Sequence, residues 1–413
     1  MNMKTLIKNI KELCMVDRDL KPRIMGKEMA KMETVRNAYL IVDGDRIAEF
    51  GEMSGLKEQA FDKVVDAAGR MVFPSFCDSH THLVYAGSRE IEYIDKIRGL
   101  SYDEIAKRGG GILNSAKRVQ EASEDQLYED AMMRLQQMIG FGTGAVEIKS
   151  GYGMTTEAEM KMLRVIRRLK ENSPLTIKST LLGAHGIPME FRGCQEKFVD
   201  IVINEMIPQA AAEGLADFID VFCDEGFFTC EDTERMLEAG LKYGMRPKIH
   251  ANEMACSGGI QVAVKYNALS CDHLEFTGDE EIACLLGSET MPTVLPGAAF
   301  FLNMQHAPVR KMMDAGLGVA MSSDCNPGSS PSPNMQLILS MACVNYRMLP
   351  EEAFNATTMN SAYAMGVSDQ LGSIAVGKKA NFYITKPIST YEYMPYAYGE
   401  NKVEKVFLNG KEQ

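Results

Sequence analysis

The chain has 413 residues, of which 46% are hydrophobic and 24% charged, and its formal net charge is −12. This composition describes a folded globular protein with one large domain and a small one, or with two comparable domains. The acidic balance argues against nucleic acid as a partner, because phosphate binding needs a concentrated basic surface. A small anionic ligand held by one arginine remains compatible with it.

The sequence also predicts a compartment. Its apolar runs are of strand length and are broken by charges, so we expect no membrane-spanning segment and no membrane partner. The first twenty residues lack the uninterrupted apolar stretch of a secretory signal. Ten cysteines are scattered without a CxxC pair, as in a protein whose thiols stay reduced. We therefore predict a cytoplasmic protein.

Both ends of the chain are predicted to form β-structure. Ala38–Val42 is an apolar run, and Asp43-Gly44-Asp45 supplies a turn after it. Towards the other end, the apolar run Ala380–Ile384 is followed by Val406-Phe407-Leu408 and by the hairpin turn pair Asn409-Gly410. We predict that residues 1–72 and 373–413 fold together as a small β-sandwich domain.

Residues 73–372 alternate short apolar runs with helical patterns, which predicts an α/β domain. Eight such runs favour a closed (β/α)8 barrel of the TIM type. An open doubly wound sheet is the alternative, but no glycine-rich phosphate motif stands at a strand-to-helix turn to support it. The predicted strands are Val72–Cys77, Ala145–Lys149, Thr176–Leu182, Phe218–Phe222, Pro247–His250, Ala268–His273, Met291–Leu295 and Val319–Ser323.

The few histidines fall at the ends of these strands. His80 and His82 form an H-x-H pair after the first, and residues two apart on a strand point to the same face. His250 ends the fifth strand, His273 the sixth, and Asp324 follows the eighth. A single histidine is more often a hydrogen-bonded core residue. Their joint position at the carboxyl ends of barrel strands, where barrel active sites lie, favours a catalytic metal centre.

Imidazole and carboxylate ligands suit Zn²⁺ or Fe²⁺, and such a site acidifies a bound water molecule. The fourth strand continues as Asp220-Val221-Phe222-Cys223, with no lysine or glutamate to bridge a second metal. We predict one divalent ion.

Longer motifs lie at the same strand ends, and they carry a resemblance. The chain resembles the imidazolonepropionase family of the amidohydrolase superfamily over nearly its whole length. The H-x-H pair is shared across the superfamily, whereas Lys-Ser-Gly-Tyr-Gly and Asn-Pro-Gly-Ser are much more specific. The motifs are His80-Thr81-His82-Leu83-Val84, Gly87-Ser88-Arg89-Glu90, Glu147-Ile148-Lys149-Ser150-Gly151-Tyr152-Gly153, Leu182-Gly183-Ala184-His185 and Asp324-Cys325-Asn326-Pro327-Gly328-Ser329.

The resemblance implies hydrolytic opening of the ring of 4-imidazolone-5-propanoate, which gives N-formimidoyl-L-glutamate during histidine degradation. It also implies zinc or iron, and a homodimer. One departure is Asn252, which stands where the family usually has aspartate. The implied metal ligands are His80, His82, His250 and Asp324, and the implied substrate contacts are Arg89, Tyr152, His185, Glu253, Asn326, Gly328 and Ser329.

The residue types suggest how an anionic heterocycle would be bound and attacked. We expect Arg89 and the backbone N–H groups of Gly328 and Ser329 to hold the carboxylate, and the loop around Tyr152 to close over the ring. His185 is a candidate for stabilising the oxyanion.

Three residues, Asp324, His273 and Glu253, are candidates for proton transfer, and the sequence leaves the choice open. Two alternatives for the whole chain stay open as well. One is another amidohydrolase, such as a guanine deaminase-like enzyme or another cyclic-amide hydrolase. The other is a non-catalytic scaffold, although such relatives typically lack several metal ligands and this chain keeps all four.

Overall fold

The structure is a computed structural model, and it describes residues 3–100 and 110–413. Residues 1–2 and 101–109, which fall within the predicted small domain and barrel respectively, lie outside that description. Within the described residues, no helix is both long and apolar enough to cross a membrane.

Both chain ends contribute to one mixed sheet. In it, β5 lies between β1 and β14, so the carboxyl-terminal strands continue the sheet that the amino-terminal strands begin. The sheet order is β16-β15-β14-β5-β1-β2-β3, and β4 also pairs with β1. The strands are Lys4–Cys14 (β1), Thr34–Asp43 (β2), Arg46–Glu52 (β3), Lys63–Asp66 (β4), Met71–Pro74 (β5) and, after the barrel, Phe382–Thr385 (β14), Val403–Leu408 (β15) and Lys411–Glu412 (β16).

The main apolar core of this sheet joins strands from both ends of the chain. The core combines Leu40 and Val42 of β2 with Phe382 and Phe407 of β14 and β15. Residues 38–42 of β2 are all buried, because Leu40 and Val42 face this core while Tyr39 and Ile41 on the other face pack in a smaller cluster with Leu6. Strands far apart in the sequence therefore depend on each other for a buried core.

The rest of the chain forms the barrel. Its eight strands pair in parallel and in chain order, with helices between them. The barrel strands are Phe76–Thr81 (β6), Thr143–Lys149 (β7), Thr176–Ala184 (β8), Phe218–Cys223 (β9), Arg246–Ala251 (β10), Ser270–His273 (β11), Met291–Val294 (β12) and Ala320–Met321 (β13).

The helices lie between and after these strands and cover the outside of the barrel. Their apolar faces pack into the main core, as the buried side chains of Leu163, Ile166 and Leu169 do in one of them. The α-helices described are Glu90–Ile97, Ile112–Glu121, Glu124–Gly140, Thr156–Asn172, Gln195–Ile201, Ile207–Ala212, Cys230–Leu241, Gly259–Lys265, Asp279–Leu285, Pro296–Leu302, Val309–Ala315, Met335–Asn345, Pro350–Thr357, Met359–Ala364 and Tyr393–Tyr396. Short 3-10 segments are Gly26–Ala30, Met53–Gly55 and Met189–Phe191, and Val202–Met206 is a π-helical turn.

The barrel closes where its first and last strands meet. The Asp324 N–H donates to the His80 carbonyl at 3.0 Å, and the His82 N–H donates to the Cys325 carbonyl at 3.0 Å. Thr81 and Cys325 thus form a parallel bridge just beyond β13. The predicted α/β architecture, a TIM-like barrel with a small β domain built from both ends, is confirmed.

One predicted strand divides differently in the structure. Val72–Cys77 was expected to be the first barrel strand, but Met71–Pro74 belongs to the small sheet and the barrel begins at Phe76. The run is continuously apolar because both short strands are buried on all sides, so periodicity could not show that the chain changes sheets after Pro74.

Candidate active site

Three imidazoles and one carboxylate lie near one another at the carboxyl ends of the barrel strands. One nitrogen from each of His80, His82 and His250 lies within 4.8 Å of the others. The His80 and His82 Nε2 atoms are 3.3 Å apart, and Asp324 Oδ1 lies 3.6 and 3.5 Å from them. All four side chains are buried. The three histidines are therefore close enough to share one ion, and Asp324 lies beside two of them.

The chemistry of this cluster fits a divalent cation. Burial lowers the pKa of His80 and His82 well below the usual histidine value, and the neighbouring basic groups lower it further. These imidazoles are therefore neutral and can offer lone pairs. His250 Nε2 is buried and donates or accepts no hydrogen bond among the described residues. Neutral nitrogen donors with one carboxylate are the donor set of zinc and iron sites.

Two carboxylates behind the cluster orient the histidines. Asp272 Oδ2 lies 2.6 Å from His80 Nδ1, and Asp220 Oδ2 lies 3.0 Å from His250 Nδ1. When His80 Nδ1 carries the proton, it donates to Asp272 and His80 Nε2 keeps its lone pair for a metal. Such contacts fix both the ring orientation and the tautomer of a ligand histidine.

A buried ionic network holds those carboxylates in place. Lys149 Nζ lies 2.6 Å from Glu147 Oε1, 2.8 Å from Asp220 Oδ2 and 3.8 Å from Asp272 Oδ2. Lys248 pairs with the same glutamate and donates to the Ser79 carbonyl at 3.0 Å. Burial alone would lower the pKa of Lys149, but the surrounding carboxylates outweigh it and raise that pKa. Lys149 is therefore a buried cation that links both histidine-orienting acids.

A turn after the last barrel strand positions Asp324. Its backbone is left-handed, with φ 51°. Its Oδ2 accepts from the Ser329 hydroxyl at 3.3 Å, and the Asn326 amide donates to the same hydroxyl at 2.7 Å. Burial raises the pKa of Asp324 to about 7.

This turn corrects an expectation for Gly328 and Ser329. Their backbone N–H groups, predicted to bind the substrate anion, donate to the Asn326 side-chain oxygen at 2.8 Å each. They are not free donors in this structure, since Asn326 uses both to close the turn.

Arg89 lies against this same turn. A Cβ atom placed on Gly328 would be 2.1 Å from Arg89 Nη1, so the glycine leaves the space that the guanidinium occupies. Glu92 holds the other side of the guanidinium, with contacts of 2.7 Å to Nε and 2.6 Å to Nη2. Glu92 was not predicted from the sequence. Its carboxylate contacts one edge of the Arg89 guanidinium and so fixes the orientation of that side chain.

The His185 ring stacks on the His82 ring, with centroids 4.8 Å apart and planes at 12°. Burial lowers the pKa of His185 to about 3, so the ring is neutral. Its Nδ1 lies 3.3 Å from the Gly151 carbonyl, which can only accept a hydrogen bond. The remaining nitrogen, Nε2, is then an acceptor. This geometry disfavours the predicted oxyanion role, because an oxyanion needs a donor.

The loop containing Tyr152 is fixed rather than free to close. The Glu159 carboxylate accepts from the backbone N–H groups of Gly151, Gly153 and Met154 at 2.6–3.0 Å. The tyrosine itself is buried, with its ring 5.3 Å from that of His185. The two glycines around it suggested mobility, but at Gly153 a Cβ would be 2.4 Å from the Glu159 backbone nitrogen. These glycines permit close packing.

A second group of buried polar side chains near the cluster consists of Glu253, Glu275 and His273. Burial raises the pKa of Glu253 to about 8, and Asp324 and Asp224 raise it further. Its Oε2 lies 3.6 Å from His273 Nε2. The loop that carries it is held by Asp224, which accepts the N–H groups of Glu253, Met254 and Ala255. Glu253 is thus a neutral acid in a fixed position near neutral pH.

Sequence reasoning missed the residues behind the ligands. A signal was present, since Glu147-x-Lys149 and Lys248-x-His250 place polar side chains two apart in otherwise apolar strands. Such pairs face one side of a strand and must find partners when buried.

The closed barrel and its cluster of neutral imidazoles with one carboxylate define a metal-dependent barrel enzyme. The model of the amidohydrolase family matches residues 71–412. An imidazolonepropionase of Flavobacterium johnsoniae is 51% identical over 409 residues, covering 99% of this chain and 100% of the relative. One of Alkaliphilus oremlandii is 40% identical over 415 residues, covering 100% and 98%.

Solved structures agree on the fold. Atrazine chlorohydrolase from Arthrobacter aurescens, complexed with zinc, superposes with a TM-score of 0.70 at 16% identity, over 99% of this chain and 94% of its own. An adenosine deaminase from Xanthomonas campestris with bound zinc superposes with a TM-score of 0.69 at 13% identity, over 99% of this chain and 92% of its own. The chain belongs to the amidohydrolase family and, within it, to the imidazolonepropionases. Family and donor set together indicate a divalent metal site at the histidine cluster.

Proposed function

We propose that this chain hydrolyses the ring of 4-imidazolone-5-propanoate to N-formimidoyl-L-glutamate, in histidine degradation. The observation that carries the proposal is the position of Arg89, packed against the Gly328 turn that follows the cluster carboxylate Asp324. A guanidinium against the turn that follows Asp324 suits a substrate that has both a hydrolysable ring and a carboxylate tail. The identity to imidazolonepropionases over the whole chain supports the same substrate.

The metal part of the proposal is one divalent ion, zinc or iron, held by His80, His82, His250 and Asp324. Such an ion, when bound, supplies an acidified water and polarises the carbonyl under attack. The donor set accepts either metal, so supply during expression decides between them.

The chain's own groups provide the remaining steps. Asp324 accepts the proton of the attacking water, since its Oδ1 faces the cluster and Ser329 fixes its other oxygen. The neutral Glu253, next to His273, delivers a proton to the leaving ring nitrogen. His185 accepts a hydrogen bond from a ring N–H through Nε2, and Tyr152 packs beside it. Arg89 orients the propionate.

The proposal also includes a small anionic heterocycle as the partner, with neither nucleic acid nor membrane, and a cytoplasmic homodimer. All ten cysteines are unpaired, as expected in a reducing compartment. Sedimentation of the metal-loaded protein tests the dimer.

The decisive experiment compares wild type with Arg89→Ala on the full substrate and on an imidazolone without the propionate. We expect the variant to lose about 2–5 kcal/mol of transition-state binding, or roughly 30- to 5,000-fold in kcat/KM, on the full substrate alone. The exposed Arg98→Ala is the matched control and should match wild type. Equal losses on both compounds would contradict carboxylate recognition by Arg89, and absence of turnover by metal-loaded wild type would contradict the proposed function.

A further inference from the structure

A buried acid behind the cluster, Glu275, has no assigned role. Its side chain is 2% exposed, and neither carboxyl oxygen makes a hydrogen bond within the described part of the chain. Burial raises its pKa well above the usual value, and the nearby Glu253 raises it further. Leaving a buried polar group without a partner costs a fold about 1–3 kcal/mol, so this carboxyl does not contribute to stability as it stands.

The group that Glu275 faces is His273. The Glu275 Oε2 atom lies 3.9 Å from His273 Nδ1, which is also buried and without a hydrogen-bond partner among the described residues. The other ring nitrogen, Nε2, lies 3.6 Å from Glu253 on the cluster side. His273 therefore stands between an acid that faces the active site and an acid behind it.

A third buried polar group without a hydrogen-bond partner in the described structure, the Tyr346 hydroxyl, is influenced by Glu275. Its pKa is raised by burial and then by Glu275. Polar atoms 3.9 Å apart are too distant for a direct hydrogen bond, yet both can bond to one water molecule at ordinary distances. Buried polar pockets of this kind typically hold ordered water.

The backbone places Glu275 there at a cost. His273 and Leu274 have φ values of 84° and 74°, in the left-handed region that such residues rarely adopt. The turn is held by the Leu274 N–H to the Ala251 carbonyl at 3.1 Å and by the Gln305 amide to the Glu275 carbonyl at 2.9 Å. Strain of about 1–3 kcal/mol per residue persists only where surrounding contacts impose it, and it clusters at functional sites.

We propose that Glu275 is a positioning residue, which holds His273 at Nδ1 through one shared water and thereby determines which ring nitrogen carries the proton. The uncharged carboxyl donates to the water and the water donates to Nδ1. The ring proton then resides on Nε2, facing Glu253 and the substrate. The kinetic consequence of this inference rests on the proposed function, whereas the tautomer of His273 does not.

The test uses zinc-loaded protein with ¹⁵N-labelled histidine, in wild type, Glu275→Gln and Glu275→Leu. We expect the His273 signal, identified by its loss in His273→Asn, to show the Nε2–H tautomer in wild type and in the glutamine variant. In the leucine variant we expect a tautomer mixture. We also expect Glu275→Leu to fold and to melt near the wild-type temperature, because an apolar side chain of similar size replaces a carboxyl that has no direct hydrogen bond to another described residue. The exposed Glu280→Leu is the control and should change neither property.

Turnover of the imidazolone substrate gives the second readout. Glu275→Leu should lower kcat about tenfold or more with KM within about twofold, and Glu275→Gln should restore most of the activity. An unchanged His273 tautomer in Glu275→Leu overturns the inference. A loss of folding in that variant and in Glu275→Met also overturns it, because it would show a structural role. Absence of turnover by wild type would count against the proposed function, and the ¹⁵N signals would still decide the role of Glu275.

Discussion

The two sides of the histidine cluster differ in how their charges are paired. Behind His80 and His250, the acids contact lysines within 4 Å, and Lys149 alone contacts three carboxylates. On the side of Glu253 and Glu275, the acids have no cation partner in the described structure, and burial raises the pKa of both. The first arrangement fixes charge and geometry, whereas the second keeps protons on acids near neutral pH. Ligand positioning and proton transfer thus have separate physical supports within one site.

The largest expected effect comes from disrupting the lysine–carboxylate network behind His80 and His250. Lys149→Met leaves Asp220 buried without a lysine partner, whereas Lys248 still contacts Glu147 and lies 3.9 Å from Asp272. We therefore expect the free energy of unfolding to fall by about 3–5 kcal/mol. Zinc affinity should fall about 10- to 100-fold, because His80 and His250 lose their fixed partners. Denaturant unfolding and competition with a zinc chelator measure these changes. Lys117→Met, at an exposed lysine, is the control. Unchanged zinc affinity would show that the network does not position the ligands.

The raised pKa of Glu253 should make the stability of the fold depend on pH. The pKa of Glu253 is raised to about 8, so the folded state holds a proton that the unfolded state releases above about pH 4.5. Wild type should therefore lose stability as pH rises from about 5 to 8. Glu253→Gln has no such proton. Its free energy of unfolding should therefore rise relative to that of wild type over the same pH range, by a few kcal/mol.

Denaturant unfolding of the zinc-loaded proteins at pH 5, 6.5 and 8 measures this difference. A constant difference between the two proteins across that range would mean that Glu253 titrates normally. Glu213→Gln is a contrasting variant, because the pKa of Glu213 is lowered to about 2 by its hydrogen bond to Arg164. It should lose stability relative to wild type at every one of these pH values.

The smallest expected effect is at Asn252, which follows His250 by two residues. Its side-chain amide donates to the Phe276 carbonyl at 2.7 Å, and its φ of 56° suits asparagine. Asn252→Asp keeps the conformation but removes the donor, so we expect a loss of about 1 kcal/mol in unfolding free energy, with zinc affinity unchanged. A large loss of zinc would mean that this residue does act on the ligands, as its departure from the family suggested.

Much of this molecule was predictable because burial leaves a pattern in the sequence. The barrel strands showed as apolar runs, and His80, His82 and His250 do lie together, with Asp324 beside the first two. The unpredicted parts depend on contacts between distant segments. Nothing near Lys149 indicates that Asp272 lies beside it, and nothing near Gly328 indicates that Asn326 uses its N–H group. The glycines around Tyr152 suggested mobility because the sequence does not show that Glu159 binds that loop.

The closing seam of the barrel has a consequence for biosynthesis. The Ser79 N–H bonds to the Ser322 hydroxyl across 243 residues of sequence, and the cluster gathers side chains from both sides of that junction. A growing chain on the ribosome possesses the H-x-H pair long before it possesses Asp324. The four proposed ligands can therefore be brought together only after synthesis has passed Asp324, so a four-ligand site would be completed late in folding.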